Sequence, residues 1–243
     1  MSKNIAKLAA LAFALALQCV AHASYDSGLA AYRDGDYGTA YKDLSATAHS
    51  GGAGSADAEQ LLGHMYYMGQ GVDQDFTRAL AWYRKAAARG MAESQYVIGT
   101  MYYSGKGVTL DYKEAMQWLR SAGELGHADA QYMLGAMYFT GKGVPQDYQR
   151  SVAWFRHAAE KGHAEAQRLL GLMHMYGVGG VPKDNVIAYM LWNLAAAGGN
   201  AEAQNLRASA AKQMSARQIE EGQTLSSNWR ANTPLPTRSA SGG

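Results

Sequence analysis

The residue types of a serine acyl-transfer site occur near the C-terminal end, where Ser209 and Lys212 form a Ser-x-x-Lys sequence. In penicillin-recognising enzymes such a serine is the nucleophile, and it works with Ser-Asp-Asn and Lys-Thr-Gly sequences elsewhere in the chain. Neither of those two sequences occurs here. A motif with only two fixed positions arises easily by chance, so we assign no catalytic residue and expect no enzymatic activity.

The other candidates for chemistry are histidines and glycine-rich turns. His127 and His163 are 36 residues apart, and the sequence contains no His-Glu-x-x-His motif and no cluster of Cys and His. Gly-Lys-Gly occurs at 105–107 and 141–143, but Val follows each one, whereas a phosphate-binding loop continues with Lys and Ser or Thr. We therefore predict no metal and no cofactor, and we interpret these glycines as turns.

The structural elements that must position all these residues come from a sequence pattern that recurs every 36 residues. A period of this size is typical of solenoid proteins, in which similar units stack one on another. We expect the recurring tryptophans to pack in the core, where replacing Trp118 by Ala lowers stability by about 3–5 kcal/mol. The residues that recur every 36 positions are Gly63, Gly99, Gly135 and Gly171, and Trp82, Trp118 and Trp154.

One unit reads as two helices, A and B, joined by a turn. Helix A is predicted at about 128–138 and helix B at about 148–160, from the spacing of their apolar residues. Asp147 is a good N-cap for helix B, and Gly162 allows the left-handed backbone that ends it. Gly135 within helix A costs about 1 kcal/mol relative to alanine. Its recurrence in every unit therefore indicates that helix B approaches closely there.

The pattern A-x-x-x-L-G-x-M-Y-x-x-G-x-G-V-x-x-D-x-x-x-A-x-x-W-x-x-x-A-A begins near Ala58, Glu93, Asp129 and Glu165. It resembles the Sel1-like repeat family, a relative of the tetratricopeptide repeats. The resemblance implies an all-α fold, a right-handed α-solenoid of stacked helix-turn-helix repeats. It also implies an adaptor role, because members of this family commonly act in assembling complexes, in envelope processes or in host interaction.

The fourth copy departs from this pattern at two places. The segment 177–181 carries one extra residue, and Leu191 takes the position of the tryptophan, with Trp192 beside it. We expect a wider turn there and an unchanged fold.

Helix A also has positions that vary between units, on the side opposite the constant ones. In a stack of A helices they would form one concave strip rich in Tyr and Phe. The concave face of a solenoid is its usual binding surface, and Tyr and Arg are frequent at binding hot spots. The alternative is that individual aromatic side chains only pack against the adjacent unit. The predicted partner-binding residues of this strip are Gln60, His64, Tyr67, Tyr96, Thr100, Tyr103, Tyr132, Phe139, Arg168 and Tyr176.

Residues 1–23 have the pattern of a signal peptide. Lys3 and Lys7 precede an apolar stretch, and cleavage is predicted after Ala23, so we expect a periplasmic or secreted protein. Cys19, the single cysteine, lies in this segment. Without the segment, basic and acidic residues are equal in number, so nothing predicts binding to nucleic acid. No transmembrane segment is expected after its removal.

The remaining chain divides into four segments. Residues 24–55 are predicted to form a tetratricopeptide-like capping hairpin and a flexible joint, and residues 56–199 to form four repeats. Residues 200–231 are predicted to be C-terminal capping helices. Residues 232–243, rich in Pro, Ser and Gly, are predicted to be a disordered tail.

Together these observations predict an exported, non-catalytic scaffold that binds a protein or peptide partner on the concave strip. A pre-stacked scaffold loses little entropy on binding, so modest aromatic contacts are sufficient. The first alternative is a binder of peptidoglycan or another carbohydrate, which a Tyr-rich strip also suits. The second is an envelope enzyme acting on β-lactams or peptidoglycan. The sequence leaves the partner's identity and the oligomeric state open.

Overall fold

The computed structural model describes residues 24–237, and all regular structure in this range is helical. The chain divides into two compact units, which meet between Leu110 and Asp111. The predicted signal peptide and the last six residues lie outside the described residues. The first unit contains α1 (24–33), α2 (Tyr37–Ser50), α3 (Ser55–Met68), α4 (Phe76–Ala88) and α5 (Ala92–Ser104).

The second unit begins with α6 (Tyr112–Glu124), a B helix, and ends with two helices that follow the last repeat. Successive helices pack against each other from α2 to α5 and from α6 to α11, and α12 packs on α10. The all-α class and its consecutive helix pairs are confirmed. The other elements of the second unit are α7 (Ala128–Thr140), α8 (Tyr148–Glu160), α9 (Ala164–Tyr176), a 3-10 turn η1 (Val178–Gly180), α10 (Asn185–Ala197), α11 (Ala201–Ala211) and α12 (Ala216–Asn228).

Aspartates begin the B helices as the sequence predicts. In α8 the Asp147 carboxylate accepts a hydrogen bond from the Arg150 N–H at 2.9 Å, which satisfies one of the free donors of the first turn. Asp75, Asp111 and Asp184 cap α4, α6 and α10 in the same way. Helix α8 ends at Glu160, with Lys161 as its C-cap, and the next residue, Gly162, has a φ of 88°.

In the first, third and fourth repeats the glycine in the middle of helix A meets an aromatic ring of helix B, which confirms the predicted close approach there. An added Cβ at Gly135 would lie 2.5 Å from Cδ1 of Phe155. At Gly171 it would lie 2.5 Å from Nε1 of Trp192, and Gly63 meets Tyr83 in the same way. The ring that fills this space belongs to the residue after the tryptophan position, which explains why the fourth repeat has Leu191 and Trp192 in that order.

The tryptophans of the other repeats do not lie in the core, so the core prediction for Trp118 is wrong. Trp82, Trp118 and Trp154 are half-buried, whereas Trp192 is 1% exposed. Trp154 lies against Gly123 of the preceding B helix, and Trp82 contacts His49 of α2 in the same manner. This position therefore joins one B helix to the previous one instead of packing back on helix A.

A glutamine in helix A links successive repeats, and the sequence analysis missed it. Gln131 donates from Nε2 to the carbonyl oxygen of Gly123 at 2.8 Å, and Gln167 to that of Ala159 at 3.1 Å. Gln95 donates to the Ala87 carbonyl oxygen at 3.3 Å. Each of these carbonyls lies at the end of a B helix and also accepts the N–H of the glycine three residues later, so the glutamine adds a second donor from the next repeat.

The described part of the C-terminal segment differs from the predicted disordered tail. Leu235 is 6% exposed and packs with the core of the second unit, and its N–H donates to Oε1 of Glu160 at 3.1 Å. The Asn232 N–H donates to the backbone carbonyl oxygen of Glu160 at 2.6 Å. Burial of one leucine and two hydrogen bonds hold residues 232–237 against α8.

Candidate functional site

The predicted strip residues of the first unit lie on α3 and α5, and all six are half-buried. Gln60 and His64 come together with Tyr32, Glu93 and Val97 around an open depression of about 470 Å³. Oε1 of Gln60 accepts a hydrogen bond from Oγ of Ser94 at 3.3 Å. The depression therefore combines apolar walls with a few polar groups, as small binding sites do.

Burial changes the acid–base properties of this depression. It lowers the pKa of His64, because the imidazolium is penalised away from water, so the ring is neutral at pH 7. Burial also raises the pKa of the Tyr83 and Tyr32 hydroxyls, which stay protonated. The lining can thus donate and accept hydrogen bonds without adding a positive charge.

The remaining strip residues of this unit lie closer to the turn end of the helices. The Tyr67 ring packs edge-on against Phe76, with centroids 5.1 Å apart, and its hydroxyl accepts from Nζ of Lys106 at 3.1 Å. The Thr100 hydroxyl donates to the Val97 carbonyl oxygen at 2.7 Å and is used within its own helix. Tyr96 and Tyr103 are half-buried and make contacts inside the chain.

In the second unit, two of the four predicted strip residues are engaged within the chain. The Tyr132 ring stacks on His163 with centroids 4.6 Å apart, which is packing against the adjacent repeat. The Arg168 guanidinium forms ion pairs with Glu165 at 2.5 Å and with Glu202 at 3.1 Å. The hydrogen bond with Glu165 raises the pKa of Arg168 and lowers that of the carboxyl.

The other two strip residues, Phe139 and Tyr176, belong to an exposed apolar surface of this unit. Tyr176 is 72% exposed, Phe139 41% and Tyr148 40%. They border an open groove of about 360 Å³, which we name the α9 groove. The complete lining of the α9 groove is Phe139, Tyr148, Phe155, Leu169, Leu172, Met173, Tyr176 and Val178. Of this lining, the predicted partner-binding residues include only Phe139 and Tyr176.

A second depression, of about 240 Å³, adjoins the α9 groove at Tyr176. Leu172 and Tyr176 line both, and Lys183 and Gln213 give the second one polar character. Ser209 also lines it and is exposed. No acidic or basic group among residues 24–237 hydrogen-bonds to its Oγ, so the geometry supplies no activated nucleophile.

The histidines and glycine-rich turns have structural uses. Nδ1 of His127 accepts from the Ala130 N–H at 3.3 Å, and His163 caps α9 in the same way. Gly107 has a φ of 69°, and an added Cβ there would lie 2.6 Å from Cβ of Phe76, so the turn fits closely onto α4. Within residues 24–237, no three His, Asp or Glu side chains gather as a metal-binding set.

The described helices are all too short or too polar to cross a membrane.

The wider turn expected in the fourth repeat is present as η1, where Gly179 has a φ of 75°. Its Val178 takes the position that holds lysine in the two turns before it. That substitution was visible in the sequence as a departure from Gly-Lys-Gly, and it is the one signal that could have marked the α9 groove.

Comparisons with known proteins agree with this architecture. The family model described as the Sel1 repeat matches residues 56–91, 92–127, 128–163 and 164–200. The chain is similar to a crystal structure of a protective antigen of uropathogenic Escherichia coli strains that displays an SLR fold. The sequences are 34% identical and the TM-score is 0.72, with 78% of this chain and 40% of that one covered.

A second similar structure is a Sel1 repeat protein from Oxalobacter formigenes, 33% identical, with a TM-score of 0.67. That match covers 76% of this chain and 74% of the other. A comparison with curated proteins gives no match. The chain thus spans less than half the length of the E. coli antigen and about three quarters of the Oxalobacter protein.

Proposed function

Because this chain belongs to the Sel1 repeat family, we propose that it is an exported, non-catalytic scaffold that binds a protein or peptide partner through the predicted strip on its A helices. Proteins of this family are commonly protein-interaction scaffolds and are generally non-catalytic. Export depends on residues 1–23, which are removed after Ala23.

The observation that carries this proposal is the exposed aromatic surface at the A-helix ends of the second unit. Tyr176, Phe139 and Tyr148 leave large apolar areas in water, and soluble proteins rarely keep such contiguous patches without a use. Rigid aromatic side chains lose little conformational entropy on binding, so they suit a contact surface. The helices that carry them are fixed by caps and by inter-repeat hydrogen bonds.

Photo-crosslinking in intact cells tests the partner-binding surface. A benzoylphenylalanine is introduced at Tyr103 or Tyr176 of the full chain, and at exposed Ala153 of α8 as the matched control. We expect a discrete protein adduct from the first two positions and none from the control. Equal adducts from all three positions, or none from any, would contradict the proposal.

Two further measurements separate the alternatives. The double variant Tyr103→Ala with Phe139→Ala should capture less partner while its helicity and melting temperature stay unchanged. An adduct that muramidase digestion removes would identify peptidoglycan as the ligand instead. Mass spectrometry of the protein from the cell envelope or medium should find an N-terminus at Ser24, and an intact N-terminus would contradict the export proposal.

A further inference from the structure

The first hairpin and the first and third repeats each have an aromatic pair near their turn, beside the turn of the following repeat. The first pair is Tyr32 and Tyr37, with ring centroids 5.5 Å apart. Gln70, the middle residue of the next Gly-x-Gly turn, accepts from the Tyr32 hydroxyl at 2.7 Å and donates to the Tyr37 hydroxyl at 3.2 Å. A polar side chain therefore closes this pair.

The second pair is covered by a charge. Lys106, at the same place in the next turn, has its ammonium 5.2 Å from the ring centroid of Tyr67 and 5.8 Å from that of Phe76. In the following turn the Lys142 ammonium is 5.8 Å from the Tyr112 ring. Cation–π attraction makes lysine a suitable cover for exposed rings.

The pair in the third repeat lacks this polar cover. Phe139 and Tyr148 are 5.3 Å apart in the same edge-on arrangement, but Val178 takes the place of Gln70 and the lysines. The valine side chain carries no charge and makes no hydrogen bond, and it forms one wall of the α9 groove. An aromatic pair that is closed in the earlier hairpins is therefore open here, and about two fifths of each side chain meets solvent.

The depression that adjoins the α9 groove at Tyr176 differs from the groove in its charge. Its lining contains Lys183 and no acidic side chain, and the α9 groove is lined without any charged residue. Among the described residues no carboxylate forms an ion pair with Lys183. A ligand that continues from the groove past Tyr176 therefore meets an ammonium group that forms no ion pair with the described part of the chain.

We infer that the α9 groove and Lys183 together recognise an acidic peptide segment of the partner, with a large apolar side chain held between Phe139, Tyr148 and Val178. A carboxylate of the same segment, from Asp or Glu, pairs with Lys183 on the far side of Tyr176. This rests on the proposed binding function and gives it a sequence requirement. The groove volume suits a side chain more than a cofactor, because it lies at the small end of the range for ligand sites.

Selection from a random peptide library tests the inference without knowledge of the partner. End-blocked peptides are selected on the immobilised full chain and then depleted on Val178→Lys, which restores the lysine of the earlier turns. We expect recovered peptides to share one large apolar residue and one Asp or Glu at a fixed separation. Peptides without the acidic residue, or no recovery above an uncoated surface, would overturn the inference.

Direct affinities then assign the two contacts. For a recovered peptide, fluorescence anisotropy should show binding about tenfold weaker to Val178→Lys and about fivefold weaker to Lys183→Glu. Lys113→Glu, an exposed lysine on α6 outside both depressions, makes the same change in net charge and should leave the affinity unchanged. Equal losses from both lysine variants would show a non-specific effect of charge and overturn the assignment of Lys183.

The outcome is distinguishable from failure of the proposed function. If crosslinking at Tyr176 captures a partner and Val178→Lys does not reduce that capture, the scaffold function stands and the inference fails. If no position on the strip captures a partner, the proposed function itself fails. Thermal melting of Val178→Lys checks its fold, and Tyr176→Ala provides a second variant, since that ring is largely in solvent and contributes little to the core.

Discussion

Replacement of Gly135 by Ala gives the sharpest test of how helices A and B fit together. Alanine in a helix is favoured over glycine by about 1 kcal/mol, so an open site would become more stable. At this position the new Cβ would lie 2.5 Å from Cδ1 and 2.7 Å from Cε1 of Phe155. Phe155 is 1% exposed and packs among the buried apolar side chains of the second unit, so its ring resists displacement.

The magnitude follows from these two opposing terms. Overpacking a close-packed core costs about 1–3 kcal/mol, and a contact this short belongs at the upper end. Subtracting the helix-propensity gain leaves a net loss of about 2 kcal/mol in the free energy of unfolding. For a chain of this size, that lowers the melting temperature by about 4–8 °C.

Urea denaturation followed by far-UV circular dichroism measures the effect, with Gly38→Ala as the matched control. Gly38 lies in the first turn of α2, and a Cβ there would meet only Oδ1 of Asp36 at 3.7 Å, so that change should be neutral or stabilising. Adding Phe155→Leu should remove most of the loss caused by Gly135→Ala. If Gly135→Ala increases the free energy of unfolding, the reasoning is refuted. It is also refuted if Gly135→Ala causes the same loss in the Phe155→Leu background as in the unmodified protein.

Three further predictions concern stability. Trp192→Ala should lower the free energy of unfolding by about 4 kcal/mol in urea titration, because the ring is buried and Nε1 donates to the Arg168 carbonyl oxygen. The ring of Trp118 is half-buried, so an equal loss in Trp118→Ala would contradict the assignment of Trp192, and not Trp118, to the core. Gln131→Leu should lower it by about 0.5–1.5 kcal/mol, because the Gly123 carbonyl oxygen at the end of α6 keeps the Gly126 N–H but loses the Gln131 amide. Hydrogen exchange of the amides in the last turn of α6 should also speed up, and unchanged exchange would contradict the role of the Gln131 amide. Burial lowers the pKa of His174 below the value of about 6.5 found in unfolded chains. The unfolded state therefore binds protons more strongly, and the free energy of unfolding falls as pH drops below about 6.5. His174→Gln should weaken this fall between pH 7 and 5, and a pH profile identical to that of the unmodified protein would contradict the prediction.

Helix boundaries and caps could be predicted from the sequence because their causes are local. Asp147 and Ser215 begin α8 and α12, as their types and positions indicate. The mid-helix Gly135 signalled a close approach through its unfavourable helix propensity alone. In each case the residue that marks the feature lies within a few residues of the contact that causes it. The 36-residue period then repeats the same feature along the chain.

The positions of the rings could not be predicted, because they depend on which side of helix B each residue faces. Trp154 and Phe155 are neighbours in sequence, yet the phenylalanine fills the core and the tryptophan contacts α6. Size and hydrophobicity favoured the tryptophan for the core. Only the geometry of the crossing helices decides between two adjacent aromatic residues.

The strip prediction was similarly limited by what a one-dimensional pattern contains. It grouped Arg168 with Tyr176 because both positions vary between repeats, although ion pairs occupy the arginine and the tyrosine is open to solvent. Ion pairs with Glu202, which lies in a later helix, follow from packing and not from the repeat pattern. The exposed part of the surface was therefore visible only in three dimensions.

The glutamine bonds between successive repeats bear on how such a chain can change in length during evolution. Gln131 and Gln167 each reach a carbonyl oxygen eight residues earlier, and both lie at the same place in their repeats. Duplication or loss of a segment of one whole period leaves every amide opposite a carbonyl, wherever the recombination joint falls. A change of any other length breaks that match at the joint, so whole-repeat steps are the ones that selection can retain.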